Sequence, residues 1–108
     1  MFHLHADDAA KTWLQTHAQM DPLVIEYEVH RCCGGGKICQ VKVRGMSRND
    51  EPASYASGVT DGGGRVLIDR RAAARLPARF GLTVRGLGPL KHLDLDLEAE
   101  DWGELLYT

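Results

Sequence analysis

The residues with the most chemistry fall in one run, His30-Arg31-Cys32-Cys33-Gly34-Gly35-Gly36-Lys37-Ile38-Cys39. Two chemistries suit it. The first is thiol redox. Arg31 and Lys37 flank the adjacent cysteines, and nearby positive charge lowers a thiol pKa and enriches the nucleophilic thiolate. The backbone N–H groups of the glycine run would add a small anion-binding nest. Cys33, beside the glycines, is then the attacking thiol and Cys32 the one that resolves it. A disulfide between neighbours strains the peptide that joins them, so it is easily reduced and suited to cycling.

The second chemistry is soft-metal or iron–sulfur binding through Cys32, Cys33 and His30, because thiolate and imidazole favour zinc, iron or copper(I). The spacing is not that of a zinc ribbon, which needs two separated Cys-x-x-Cys pairs. Neighbouring side chains also diverge along an extended backbone. One chain therefore offers too few ligands for a closed site, and a metal would be shared across a homodimer or left open to a partner. A third reading is a non-catalytic interaction module whose cysteines are inert and whose acidic tail and sheet edge make the contact. Cys39 alone reads as a small buried hydrophobe.

Composition narrows the classes. The 108 residues carry a net charge of -2, so the basic footprint of a nucleic-acid binder is missing. Three cysteines are an odd number, which does not suit a secreted disulfide framework. The first residues, Met1 to Asp8, lack a basic start and an apolar stretch, and no apolar run approaches a membrane span. The expectation is a reducing, cytoplasmic setting without a membrane partner, and a thiol redox protein as partner.

The elements that would position the pair follow from periodicity. Asp7 and Asp8 cap a helix over about 7–19 whose face is Ala10, Trp13, Leu14 and His17, stopped by Asp21-Pro22. Leu23, Ile25, Tyr27 and Val29 alternate with Val24, Glu26, Glu28 and His30, which predicts a half-buried strand over 23–30. Residues 38–44 alternate again, so the two runs form a hairpin with the cysteines at its tip. Residues 45–64 read as a long polar loop. A strand follows at 65–69, then a short helix over 70–76 capped by Asp69, and strands at 82–86 and 93–98. The tail from Ala99 reads as an edge element or a contact surface. The whole, 1–108, reads as one small α+β domain: a mostly antiparallel sheet, an N-terminal helix and a short central helix.

Other residues rank below the hairpin tip. His3 and His5 alternate on an extended segment and suit a metal, but they read first as a solvated end. His17 reads as semi-buried and His92 as a turn residue without a partner. Gly34-Gly35-Gly36 and Gly62-Gly63-Gly64 lack the pattern of phosphate loops. Asp94, Asp96 and Glu98 read as a solvated stripe, and Arg70, Arg71, Arg75 and Arg79 as surface charge.

The order of helix, strand, Cys-Gly tip and strand, then Val66-Leu67-Ile68-Asp69 before a short helix, resembles the HesB-like (A-type iron–sulfur carrier) fold. Cys32-Cys33-Gly34-Gly35 and the segment Leu82 to Leu93 are similar to the small CC/Se motif proteins of that group. The resemblance spans about residues 6–98 and implies a HesB-like domain. Selenocysteine in some relatives implies redox chemistry at the pair. The carriers have a second Cys-Gly-Cys near the C-terminus; here the tail reads Asp101-Trp102-Gly103-Glu104, so an iron–sulfur cluster ranks below thiol chemistry.

Overall fold

The computed structural model describes residues 1–17, 21–31 and 37–106, with the backbone alone at 30–31 and 37–39. Seven strands and three helices follow one another: β1 (Phe2–Ala6), α1 (Asp8–Thr16), β2 (Leu23–Arg31), β3 (Lys37–Gly45), β4 (Tyr55–Thr60), β5 (Arg65–Asp69), α2 (Arg70–Ala73), β6 (Arg79–Arg85), β7 (His92–Asp96) and α3 (Ala99–Leu106). The strands form one sheet in the order β3-β2-β5-β4-β1-β6-β7. The sheet curls so that its edge strands β3 and β7 approach each other, and α3 lies against β3.

The sheet is mixed where a mostly antiparallel one was expected. The pairs β2·β3, β4·β5 and β6·β7 are antiparallel, while β1·β4, β1·β6 and β2·β5 are parallel. The reason is β1. Phe2, Leu4 and Ala6 alternate with His3 and His5, and the strand inserts between β4 and β6, parallel to both. The expected solvated end is thus a central strand.

Two further expectations change. The polar stretch 45–64 contains a short 3₁₀ turn at Pro52–Ser54 and the strand β4. Tyr55-Ala56-Ser57-Gly58-Val59-Thr60 has little apolar alternation of its own, and pairing with β5 and β1 on its two edges makes it a strand. The acidic tail is the helix α3, whose Trp102, Leu105 and Leu106 recur at helical spacing and pack on the core.

One apolar cluster underlies the sheet, drawn from Leu4, Ile25, Tyr27, Ile68, Leu82, Leu95 and Leu105 among others. Burying a leucine such as Leu105 contributes roughly 1.5–3 kcal/mol, which explains how a short, acidic helix stays docked. Asp7 caps α1 by accepting the Ala10 N–H at 2.8 Å, and accepts the Thr83 hydroxyl at 2.6 Å, which ties the helix to β6. No helix among the described residues is long and apolar enough to cross a membrane.

Candidate functional site

The hairpin expected from the sequence is present. β2 and β3 pair from Leu23↔Gly45 to Arg31↔Lys37. β5 accompanies β2 only along Leu23–Ile25. Beyond that point the two strands continue as a ribbon without β5 beside them. Val29 shows what this does to packing: it alternates with the core residues Ile25 and Tyr27, yet is 41% exposed.

The root of the ribbon is clamped by Tyr27, whose side chain is 1% exposed. Its hydroxyl donates to the Leu105 carbonyl at 2.9 Å and accepts from Arg75 Nη1 at 2.6 Å. The Leu105 carbonyl lies in the last turn of α3, where helical carbonyls have no partner within the helix. Arg71 Nη2 donates to the Tyr27 carbonyl at 2.6 Å, on the side that β5 no longer covers. The Arg71 and Arg75 guanidiniums also stand 5.5 and 5.6 Å from the centre of the Tyr27 ring, within cation–π range. Arg71 is steered by Asp69, whose carboxylate caps α2 through the Arg71 N–H at 2.8 Å. Burial alone would push the Asp69 carboxyl up, but the hydrogen bonds from Arg71 draw it below its ordinary value. These arginines therefore do more than the surface role expected of them. Their signal in the sequence is a spacing of four, which sets both on one side of a helical turn.

Near the start of the hairpin, where β5 still flanks β2 and Arg44 pairs with Val24, Arg44 joins Glu26 and Asp50. Arg44 Nη1 and Nη2 grip Asp50 at 2.7 and 2.8 Å, and Nε meets Glu26 at 3.0 Å. The Asp50 carboxyl also accepts the Ser47 N–H and the Tyr55 hydroxyl. The Arg44 guanidinium first, and the Ser47 N–H next, hold Asp50 well below the usual carboxylate range. The same pairing raises Arg44. This network fixes the loop after β3 against the start of β4.

Cys32 and Cys33 lie outside the described residues, as do the side chains of His30 and Cys39. In the ladder His30 pairs with Ile38 and Cys39 with Val29. Among the described residues no three His, Cys, Asp or Glu side chains converge on a point that could hold a metal ion. His17 stacks on Trp13 with ring centres 3.9 Å apart, in keeping with its expected semi-buried place. His92 has a partner after all: its Nδ1–H donates to the Leu90 carbonyl at 2.9 Å. Asp94 pairs with Arg85 at 2.9 Å on the open side of β7.

The open face around β1 carries His3 and His5, the metal-capable pair that the sequence ranks below the hairpin, together with Asp61, which the sequence did not single out. His5 Nδ1 lies 2.8 Å from Asp61 Oδ2, with Lys11 Nζ 4.0 Å from the same oxygen. Asp61, which its surroundings would push up by desolvation, is drawn below its ordinary value by the Ala6 N–H, Lys11 and His5. Asp61 begins the turn Asp61-Gly62-Gly63-Gly64, where Gly63 takes φ +87°, a conformation that favours glycine. An open cleft of about 450 Å³ lies over His3, His5, Val59, Asp61 and Arg79. A second, of about 410 Å³, lies between Leu14, His17, Leu23 and Gly64.

The fold and the site together define a small compact domain with a mixed seven-stranded sheet, three helices and a clamped two-stranded ribbon. No family model matches the chain, and no curated protein matches it.

Proposed function

We propose that this is a small HesB-like protein of the α+β class, closest to the CC/Se motif group, whose Cys32-Cys33 pair exchanges electrons with a disulfide in a reducing, cytoplasmic setting. The observation that carries the reading is the adjacency of the two thiols between the strand ends Arg31 and Lys37, which close the ladder of a ribbon that outruns β5. Flanking cations favour the thiolate.

The Cys33 thiolate attacks one sulfur of a partner disulfide, forming a mixed disulfide and releasing the partner's first thiolate. The Cys32 thiolate then attacks Cys33 Sγ, closing the Cys32–Cys33 disulfide and releasing the second. Two electrons pass to the partner disulfide, and the two protons lost from the cysteines balance those its thiols take up. The strained product is readily reduced again.

The test is a stopped-flow titration with an aromatic disulfide between pH 6 and 8, on the wild type, Cys33→Ser and Cys32→Ser. The wild type should react in two steps and lose two thiols without a lasting adduct. Cys33→Ser should lose the fast step, and Cys32→Ser should stop at the mixed disulfide. Thiols that stay unreactive below pH 8 overturn the proposal. So does anaerobic reconstitution that yields a coloured, iron-bearing protein whose thiols no longer react with disulfides.

A further inference from the structure

β1 turns Leu4 and Ala6 into the core and leaves His3 and His5 on the open side. Its backbone is fixed from both edges, by β4 along Phe2–Leu4 and by β6 along His3–Ala6. Two imidazoles on alternate residues of a rigid strand are a chelating pair. Alternate strand residues stand roughly 6.5–7 Å apart on one face. Two nitrogens on a tetrahedral zinc ion, each about 2.0–2.1 Å from the metal, stand roughly 3.3 Å apart. Side-chain rotation closes that difference without moving the strand.

One of the two rings is already oriented. The His5 Nδ1–H donates to Asp61 Oδ2 at 2.8 Å, which leaves the lone pair on Nε2 and turns Nε2 away from the carboxylate. Metal-ligating histidines are held in this way, with the ring nitrogen that does not bind the ion donating to a carboxylate. Asp61 is itself anchored, since its Oδ1 accepts the Ala6 N–H at 3.5 Å. The His3 ring has no hydrogen bond or ion pair among the described residues and is free to turn toward its neighbour.

We propose that His3 and His5 bind one divalent ion of the zinc class, with Asp61 orienting His5 and the ion's remaining positions open to the cleft over β1. Two protein ligands make an open site rather than a closed one. Arg79, the register partner of His3, is a neighbouring cation. It is exposed, so its charge is largely screened and does not bar the ion.

Zinc(II) titrated into the full-length chain tests this, with the histidine ring signals followed by NMR. At one equivalent the His3 and His5 signals should move together while those of His17 and His92 stay in place. His5→Asn should abolish the movement of His3. Asp61→Asn should keep both ligands but weaken binding about tenfold, the usual cost of losing the orienting partner of a metal ligand. His5 is 75% exposed, so its replacement leaves the fold intact, which circular dichroism verifies. Zinc that binds and moves only His30 would place the ion at the hairpin and overturn the proposal. So would unchanged affinity in His5→Asn.

Discussion

The Tyr27 clamp predicts a specific loss from a one-atom change. Tyr27→Phe keeps the ring, its burial and its place under the two guanidiniums, and removes the hydroxyl alone. That oxygen lies 2.9 Å from the Leu105 carbonyl and 2.6 Å from Arg75 Nη1. Without it the carbonyl in the last turn of α3 is left unpaired beside a fully buried side chain, whereas Arg75 is half-buried and can turn to water. An unsatisfied buried polar group costs about 1–3 kcal/mol, and the carbonyl carries most of it here, so the expected loss is about 2 kcal/mol. For a chain of this size that is a fall in Tm of roughly 8 °C. Urea unfolding should show a lower midpoint at unchanged slope, because the surface exposed on unfolding is the same. Hydrogen exchange should quicken in the last turn of α3 before the rest of the core. A double-mutant cycle with Arg75→Met should be clearly non-additive, since both substitutions remove the same bond. A Tyr27→Phe protein within about 0.5 kcal/mol of the wild type, the size of an ordinary surface change, would refute the clamp.

Other substitutions test the rest of the framework. Asp7→Ala should cost about 1–2 kcal/mol at neutral pH through loss of the helix cap and of the Thr83 bond. The Thr83 hydroxyl and the Ala10 N–H depress the Asp7 carboxyl, so its contribution is complete above the ordinary carboxylate range and lost as pH falls through the folded value. The gap between wild type and Asp7→Ala in thermal unfolding should therefore close on acidification, and a constant gap would count against it. Asp50→Ala should cost about 2 kcal/mol, because the Asp50 side chain is only 7% exposed and its loss removes the bidentate partner of Arg44 and the acceptor for Ser47 and Tyr55, while Arg44 keeps Glu26 and is a third exposed to water. A cost below about 1 kcal/mol in urea unfolding would show the network to be solvated. Gly86 has φ +94°, and a Cβ there would lie 2.4 Å from the Leu90 carbonyl oxygen. Gly86→Ala should cost about 2–3 kcal/mol, and an unchanged unfolding midpoint would reject the turn between β6 and β7.

What the sequence disclosed was decided by how much each segment relied on its own pattern. The β2–β3 hairpin was legible because Leu23 to Val29 and the run after Lys37 alternate, and their register follows from that alternation. α1 was legible through the Asp7 cap and a single apolar face, although it ends at Thr16 rather than near residue 19. β4 was not legible, because Ala56, Ser57 and Gly58 carry no alternation and owe their conformation to neighbours on both sides. β1 had the pattern, with Phe2, Leu4 and Ala6 in step, but five residues at the start of a chain do not reveal that two strands will enclose them. α3 was obscured by Gly103 and by acidic residues among Trp102, Leu105 and Leu106. At the site, the two strands that run up to Arg31 and on from Lys37 were readable, whereas the arginine clamp was not. A basic residue on a short helix reads as surface charge until the tyrosine it covers is in view.

That clamp bears on how the proposed thiol chemistry can be tuned. Arg71, in α2, and Arg75, just after it, bring positive charge to Tyr27 on β2, the strand that leads toward the cysteines in sequence, which suggests at first that they help ionise them. Distance decides against it. Arg31, the end of β2, lies four residues beyond Tyr27, about 13 Å along an extended strand. That exceeds the Debye length of about 8 Å at physiological ionic strength, so charges at Tyr27 are largely screened from the tip. Both guanidiniums are also engaged where they stand, by the Tyr27 carbonyl and Asp69 for Arg71 and by the Tyr27 hydroxyl for Arg75. Their work is mechanical: they satisfy the strand edge that β5 leaves open and tie β2 to α3. In the proposed chemistry, thiolate stabilisation would then come from groups next to the cysteines in sequence, Arg31, Lys37 and the glycine amides. Stability at the root of the ribbon and the proposed thiol reactivity would thus be set by different residues, so that each could be changed without the other.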